Sequence, residues 1–406
     1  MLENIVGQSA AKFIGADLKR NIFPRAVLFS GSEGDGKLST ALEVARILSC
    51  HSEEKKFNCT CPSCLQHKSL VSSNVMLLGP RDCFLEIAAA KKTFLEAQNQ
   101  TYKDATRYLF IRSIRKLTMR FNSILYQGDS DVNKIGSLIE SINEELEVLD
   151  FPKILPEYED LVKICDKLSE NTQLLESTFL YDSIPINQIR NMEAWAHIKS
   201  EEGKKVIIIE NAEQMQNSVR NALLKILEEP PEDCQFILLT NKRNSIMETI
   251  LSRVRTYDFK TRNDEQQKKV LNLVFHTDYS GTINQYLMEF LPVKPAVIHE
   301  QSKLFFSSIQ NRKIPDAIQI IKKCEDFIPR VILKIFLQDL NVYLIPLRKT
   351  PLGCECLYKC IRIMQNFRDN INLYNQNPRG AMETLLRDLS AVNVSNGQVF
   401  KLCGDM

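Results

Sequence analysis

The sequence predicts an α/β fold: a P-loop domain with a parallel sheet and a helical insertion, followed by helices alone. Three observations carry this. Short, nearly continuous apolar runs recur at Ala26–Ser30, Val75–Leu78, Val206–Ile209 and Phe236–Thr240, as expected of parallel strands covered by helices on both faces. A glycine-rich turn, Gly31–Lys37, joins the first run to a helical pattern in which Ala41, Val44, Ala45 and Leu48 recur at i, i+3, i+4 and i+7. After Phe259 the glycines thin out and helical periodicity dominates.

The second run stops at Gly79-Pro80, and the third follows the turn at Gly203. Between them, from about 88 to 178, the pattern becomes purely helical. Apolar stripes appear at Ile114, Leu117, Phe121 and Ile124, at Ile135, Leu138, Ile139, Ile142 and Leu146, and at Leu161, Ile164 and Leu168. Gly128, Pro152 and Pro156 punctuate them. On the first of these helices Arg112, Arg115, Lys116 and Arg120 form a basic stripe. A solvated face is the expectation for it, and a contact with DNA or an acidic partner the alternative. Further on, Arg262–Phe275 and Ile283–Phe290 suggest a small helical unit, and residues 297–389 a longer bundle. Leu333, Phe336, Leu337, Leu340 and Leu344 line its core.

A chain of 406 residues suits two or three domains. With 44% hydrophobic and 25% charged residues it is ordinary for a globular protein, which excludes wholesale disorder. The formal net charge of +2 leaves no global basic field, so any contact with DNA must be local. No stretch reaches the roughly 18–20 apolar residues of a membrane span, and MLENIVGQSAAKF lacks the run of a signal peptide. A cytoplasmic protein is expected. In a reducing compartment the 12 cysteines are not disulfides, and clustered ones become metal candidates.

Gly31-Ser-Glu-Gly-Asp-Gly36-Lys37 follows a strand and opens a helix, the context that makes G-x-x-x-x-G-K a phosphate loop. Gly31, Gly34 and Gly36 let backbone N–H groups converge on phosphate oxygens, and Lys37 reaches the terminal phosphates. The next residue should carry a hydroxyl for Mg²⁺, but it is Leu38. Ser39 lies about 100° further round the helix and points elsewhere. In Lys205-Val-Ile-Ile-Ile-Glu210-Asn211-Ala-Glu213, Glu210 stands where an acid would organise the metal. Asn211, where a second acid would activate water, accepts no proton near neutral pH, and losing a general base costs about 10²–10⁴-fold in rate. Glu213 is a candidate substitute that faces another direction. ATP or ADP is expected to bind weakly or without turnover.

Cys50-x8-Cys59-x-Cys61-x2-Cys64 offers four thiolates, the donor set of a structural, tetrahedral zinc site with no open position for water. The tight C-x-C pair leaves open whether Cys59 or His67 completes the set. Cys354, Cys356 and Cys360 lack a nearby fourth ligand and read as helix-packed thiols.

Taken together, these segments resemble the AAA+ clamp-loader subunits of bacterial DNA polymerase III. The resemblance rests on Ile5-Val-Gly-Gln8, Ala26-Val-Leu-Phe-Ser-Gly31, Cys50 with its cluster, Ile186-Asn-Gln-Ile-Arg190 and Asn211-Ala-Glu-Gln-Met215. It continues through Asn221-Ala-Leu-Leu-Lys-Ile-Leu-Glu-Glu-Pro-Pro231, Phe236-Ile-Leu-Leu-Thr240 and Thr249-Ile-Leu-Ser-Arg253. It covers about 1–90 and 180–260, and more weakly Asn377–Leu386; the segment of about 88–178 has no counterpart in it.

The resemblance implies a P-loop domain over 1–258, a helical lid over 259–296 and a helical collar over 297–406 that joins five subunits in a ring. It also implies a zinc module at the cysteine cluster. Two kinds of subunit share the motifs: gamma/tau, which hydrolyses ATP, and delta-prime, a stator with a degenerate nucleotide site. Leu38 and Asn211 depart toward delta-prime, and the length of 406 residues agrees with the expectation of a subunit without the long C-terminal extension of the tau type. The alternative is a gamma/tau-type ATPase in which Glu210 and Glu213 rescue hydrolysis. In Ser252-Arg253, with Val254 in place of the family's cysteine, Arg253 would reach the γ-phosphate of ATP on a neighbouring subunit. Thr240 and Asn241 fall where a phosphate sensor would sit, a minor role without hydrolysis. The implied partners are gamma/tau and delta subunits, and through the complex the sliding clamp and primed DNA, with no membrane.

Overall fold

Alternate residues of each central strand feed two separate cores, and this places the strand ends that matter for function. In the computed structural model, which describes residues 1–200, 203–372 and 376–404, β1 (Ala26–Ser30), β2 (Val75–Leu78), β3 (Lys205–Ile209), β4 (Cys234–Thr240) and β5 (Arg255–Asp258) form one sheet. Its order is β2-β3-β4-β1-β5 and every neighbouring pair is parallel. Ser30 lies beside Thr240, and Ile209 beside Leu238, so β1, β3 and β4 end on the same edge.

The chain divides into two units, Met1–Leu287 and Met288–Met406. In the first, α1 (Ser9–Lys19) and α2 (Lys37–Leu48) cover one sheet face. There Ile14, Ala41, Val44 and Ile47 pack on Val27, Phe29, Leu77, Val206, Ile208 and Ile237. The short α3 (Pro62–Lys68) follows α2. The other face takes Leu28, Met76, Leu78, Ile207, Ile209, Phe236 and Leu238. It meets α4 (Phe84–Glu96), α5 (Lys103–Thr118), α6 (Val132–Leu149), α7 (Tyr158–Phe179), α8 (Ile186–His197) and α9 (Asn217–Glu228). Phe110, Ile114 and Leu117 of α5, Ile142 and Leu146 of α6, and Leu161 and Leu168 of α7 belong to that same core. The inserted helices are thus a thickening of one sheet face rather than a separate body.

The unit closes with α10 (Glu248–Leu251), α11 (Asp264–Phe275) and α12 (Ile283–Met288). A reciprocal capping box starts α11, with Asn263 accepting from the Gln266 N–H while the Gln266 side chain accepts from Asn263 N–H. The His276 ring beyond its end stacks on Tyr102 with centroids 4.0 Å apart.

The second unit is helical: α13 (Pro295–Gln310), α14 (Ala317–Lys323), α15 (Arg330–Leu344), α16 (Pro351–Asn372) and α17 (Pro378–Ser395). The stripe Leu333, Phe336, Leu337, Leu340 and Leu344 is buried on α15, and Phe336 meets Phe305 of α13 with ring centroids 5.7 Å apart. Cys356 and Cys360 are buried on α16 and Cys354 is exposed there. Among the described residues, no group spaced for a metal includes them, and no helix is long and apolar enough to cross a membrane.

Candidate functional site

The glycine-rich loop leaves β1 at Ser30 and enters α2 at Lys37. Gly36 has φ +87°, and a Cβ there would stand 2.7 Å from Nη2 of Arg262, so this position suits only glycine. Lys37 is buried and its ammonium is fully used: it donates to the carbonyls of Gly31 at 2.7 Å and Ser32 at 2.6 Å, and to Asn241 Oδ1 at 2.9 Å. Burial pushes this ammonium below its ordinary range. The buried Asp35 carboxylate accepts the Ser32 N–H at 2.7 Å. Arg262, also buried, donates to Val6 O at 3.0 Å and to Gly34 O. The loop is held by Lys37 and Asp35 from within and by Arg262 from outside it. Leu38 lies in the core beside Ala41 and Leu42, and Ser39 is exposed. No hydroxyl follows Lys37 into the loop.

At the end of β3, Glu210 is buried and both its oxygens are taken. Arg81 donates to Oε1 at 3.2 Å, and Arg120 donates to Oε2. Gly79, at φ +121°, permits the approach, since a Cβ there would collide with the Glu210 carbonyl oxygen. Arg81 also pairs with Glu86 at 3.0 Å, and Lys116 with the other oxygen of Glu86. Burial is the largest influence on both carboxyls and raises them, yet the neighbouring cations win. Lys116 and Arg81 hold Glu86 down at about 2, and Arg120 and Arg81 hold Glu210 below the ordinary glutamate value.

The basic stripe is therefore not a solvated face, which corrects that expectation: its cations are paired within the chain. Arg112 donates to Lys68 O, and Arg115 donates to Ser69 O at 3.1 Å and Asp150 Oδ2 at 2.5 Å. Lys116 and Arg120 complete the cluster at Glu86 and Glu210. Four cations of α5 and its following turn tie the insertion to the sheet domain.

Asn211 adopts a left-handed conformation with φ 49°. Its amide donates to Pro80 O, and its Oδ1 accepts from Asn241 at 3.1 Å. Glu213 is bound to the end of β4, accepting from Thr240 Oγ1 at 2.7 Å and from Asn241 N–H at 3.3 Å. Lys37, Asn241, Asn211, Glu213 and Thr240 thus share one polar network across three strand ends.

Arg253 follows α10 on a surface turn, its side chain a little over a quarter exposed at 28%. Its Nε donates to Glu228 at the end of α9 at 2.9 Å, and Nη1 to Thr249 O at 2.7 Å. Val254 is buried against the apolar core.

The four cysteines converge. Cys50 lies just past α2, Cys59 and Cys61 precede α3, and Cys64 is within it. Their sulfur atoms all lie within 4.8 Å of one another, with Cys50 and Cys59 3.7 Å apart. A tetrahedral ion with metal–sulfur bonds of about 2.3 Å requires sulfur–sulfur edges of about 3.8 Å, so the set fits zinc. His67 stands outside this group, its Nε2 3.4 Å from Ser72 Oγ, and burial followed by the Arg46 charge pushes its imidazole down to about 4. The residues that sequence reasoning missed are Asp35, Arg46, Arg81, Glu86 and Arg262. Among them Asp35 lies inside the glycine-rich loop, and Arg81, directly after Gly79-Pro80, sits beside a recognisable strand end.

This architecture, with a glycine loop between β1 and α2 and polar strand ends beside it, defines an AAA+ P-loop subunit. The chain belongs to the family described as "DNA polymerase III, delta subunit", whose model matches residues 7–126 and 153–263, more than half of its length. The resemblance read from the residues thus holds at the level of the family. One expectation is corrected: the matched ranges include all of the 88–178 segment except 127–152, so most of that segment is family sequence.

Among curated proteins, the chain is 50% identical over 56 residues to DNA polymerase III subunit tau of Bacillus subtilis, covering 14% of this chain and 10% of that one. It is 34% identical over 83 residues to DNA polymerase III subunit delta' of Haemophilus influenzae, covering 20% and 25%. The matches thus span a quarter or less of those relatives' lengths. A solved structure of a DNA polymerase III gamma subunit-related protein from Thermotoga maritima aligns at 15% identity and a TM-score of 0.24, covering 56% of this chain and 90% of that one.

Proposed function

We propose that this chain is the delta-prime, stator-type subunit of a DNA polymerase III clamp loader. One observation carries the reading: Arg81 and Arg120 occupy both oxygens of Glu210, the only acid at the position that would organise magnesium. With Leu38 in the core, the residue after Lys37 offers no hydroxyl to the metal, and the Asp35 carboxylate is engaged by the Ser32 N–H. The residues do not fit a magnesium–nucleotide complex, and no hydrolytic step follows from them. A nucleotide entering without metal would meet Gly31, Gly34, Gly36 and Lys37, and Lys37 would have to exchange its bonds to Gly31, Ser32 and Asn241 for phosphate oxygens.

In this reading the subunit is cytoplasmic and joins gamma/tau and delta subunits in a hetero-pentameric ring that places the sliding clamp on primed DNA. Its P-loop domain (1–258), lid (259–296) and collar (297–406) have separate duties, the collar making the ring. Arg253, on a surface turn, would be offered to ATP on a neighbouring subunit, where a guanidinium stabilises the transferring phosphoryl group. Cys50, Cys59, Cys61 and Cys64 would hold a structural zinc ion, which supplies only a cross-link because all four positions are filled by protein.

The test is ATP turnover by the isolated chain and by the reconstituted ring. A stator gives no turnover alone and supports turnover in the ring. Brisk turnover by the isolated chain, abolished by Lys37→Ala and indifferent to Arg253→Ala, would establish the gamma/tau-type alternative.

A further inference from the structure

The helix that begins with Lys37 also carries Arg46, a guanidinium only 1% exposed and unused by the P-loop. One edge of its fork meets Glu43, with Nε at 3.0 Å and Nη2 at 2.7 Å from the same carboxylate oxygen. The other edge faces the cysteine cluster. Nη1 donates to Cys64 Sγ at 2.9 Å, and Nη2 donates to the carbonyl of Lys55 at 3.1 Å. Lys55 lies in the loop between the first two cysteines, and Cys64 is the last of the four. A single side chain of α2 therefore holds both the loop between the first two cysteines and the last cysteine of the knuckle.

Four thiolates around a divalent ion leave two net negative charges. Cys64 is fully buried and Cys50 nearly so, and buried charge is costly unless compensated by hydrogen bonds or counter-charge. We propose that Arg46 is the positioning residue of the zinc centre: its charge-assisted N–H···S bond fixes Cys64 and offsets the thiolate charge, while Glu43 holds the guanidinium in place. The inference rests on the zinc reading above and extends it to a residue outside the ligand set. It also joins metal binding to the P-loop helix.

The experiment measures zinc affinity of the full chain by competition with a chromogenic chelator, for wild type, Arg46→Met, Arg46→Lys and Glu43→Gln. It is accompanied by the thiolate-to-metal charge-transfer band of the cobalt-substituted forms. Loss of an outer-shell partner typically weakens a metal site by about 10–100-fold, and Arg46→Met should fall in that range with a shifted cobalt band. Arg46→Lys should recover part of the loss, and should stay informative if Arg46→Met does not fold. Glu43→Gln should keep zinc close to wild-type affinity, because the amide oxygen of the new side chain can still accept from the guanidinium and hold it in place. Wild-type affinity in Arg46→Met, or an equal loss in Glu43→Gln, would overturn the assignment and leave the zinc site standing. A wild-type chain that binds no zinc would overturn the zinc reading itself, and Arg46's role with it.

Discussion

Arg120, in the turn after α5, donates its guanidinium to Glu210 at the end of β3, 90 residues away in sequence. Both side chains are buried. Removing one partner of a buried pair leaves the other uncompensated, at a cost of about 3–5 kcal/mol. Glu210→Gln should therefore lower the unfolding free energy of the first unit by that amount, read as a lower urea midpoint, while leaving the ring's ATP turnover unchanged. A large loss of turnover with unchanged stability would instead make Glu210 a metal-organising acid.

Acid should act on the same cluster. Glu86 is held at about 2 when folded, against an ordinary glutamate value of about 4.3 when unfolded. Its contribution is complete above about pH 4.3 and is lost as the pH falls from there toward 2. Urea titrations between pH 6 and 3 should show stability falling at the acid end, and Glu86→Gln should flatten that fall while lowering the plateau.

Arg253→Ala should leave the fold unaffected, since Arg253's partners are a surface carboxylate and local carbonyl and hydroxyl oxygens. Exposed pairs of this sort contribute about 0–1 kcal/mol. Ring assembly should survive as well, while ATP turnover of the reconstituted complex drops at least about tenfold, the low end for loss of a finger acting between subunits. An intact rate would withdraw Arg253 from that role.

Elemental analysis should find one zinc per chain. Removing it forfeits a contribution on the order of 10 kcal/mol to ordering the knuckle, whose residues 56–58 are exposed. Trypsin should then cut after Lys56 far faster in chelated than in metal-replete protein. Equal cleavage rates would mean that the cysteines order this loop without metal.

Four of the five strands were legible because burial on both faces demands unbroken apolar runs, and Ala26–Ser30 and Val75–Leu78 match to the residue. β5 escaped notice because in Arg-Thr-Tyr-Asp only Tyr257 is buried, as befits an edge strand with charged residues at both ends. The convergence of Cys50, Cys59, Cys61 and Cys64 followed from spacing, whereas the exclusion of His67 needed three-dimensional placement.

The basic stripe misled for a definite reason. Helical periodicity reports which residues share a face, not what that face meets. The acceptors for Arg112, Arg115, Lys116 and Arg120 lie 30 to 90 residues away in α3 and its following turn, α4, the end of α6 and β3. The same limitation hid the kinship of the 88–178 segment, since amphipathic stripes are shared by helices of every ancestry.

Anyone wishing to trim this chain to a minimal version would naturally excise α5 to α7. That surgery would strip away two of the counter-ions that keep Glu86 and Glu210 content in an oil-like setting. A shortened variant that folds should therefore need both acids swapped for neutral side chains in the same operation, with Arg81 replaced alongside them.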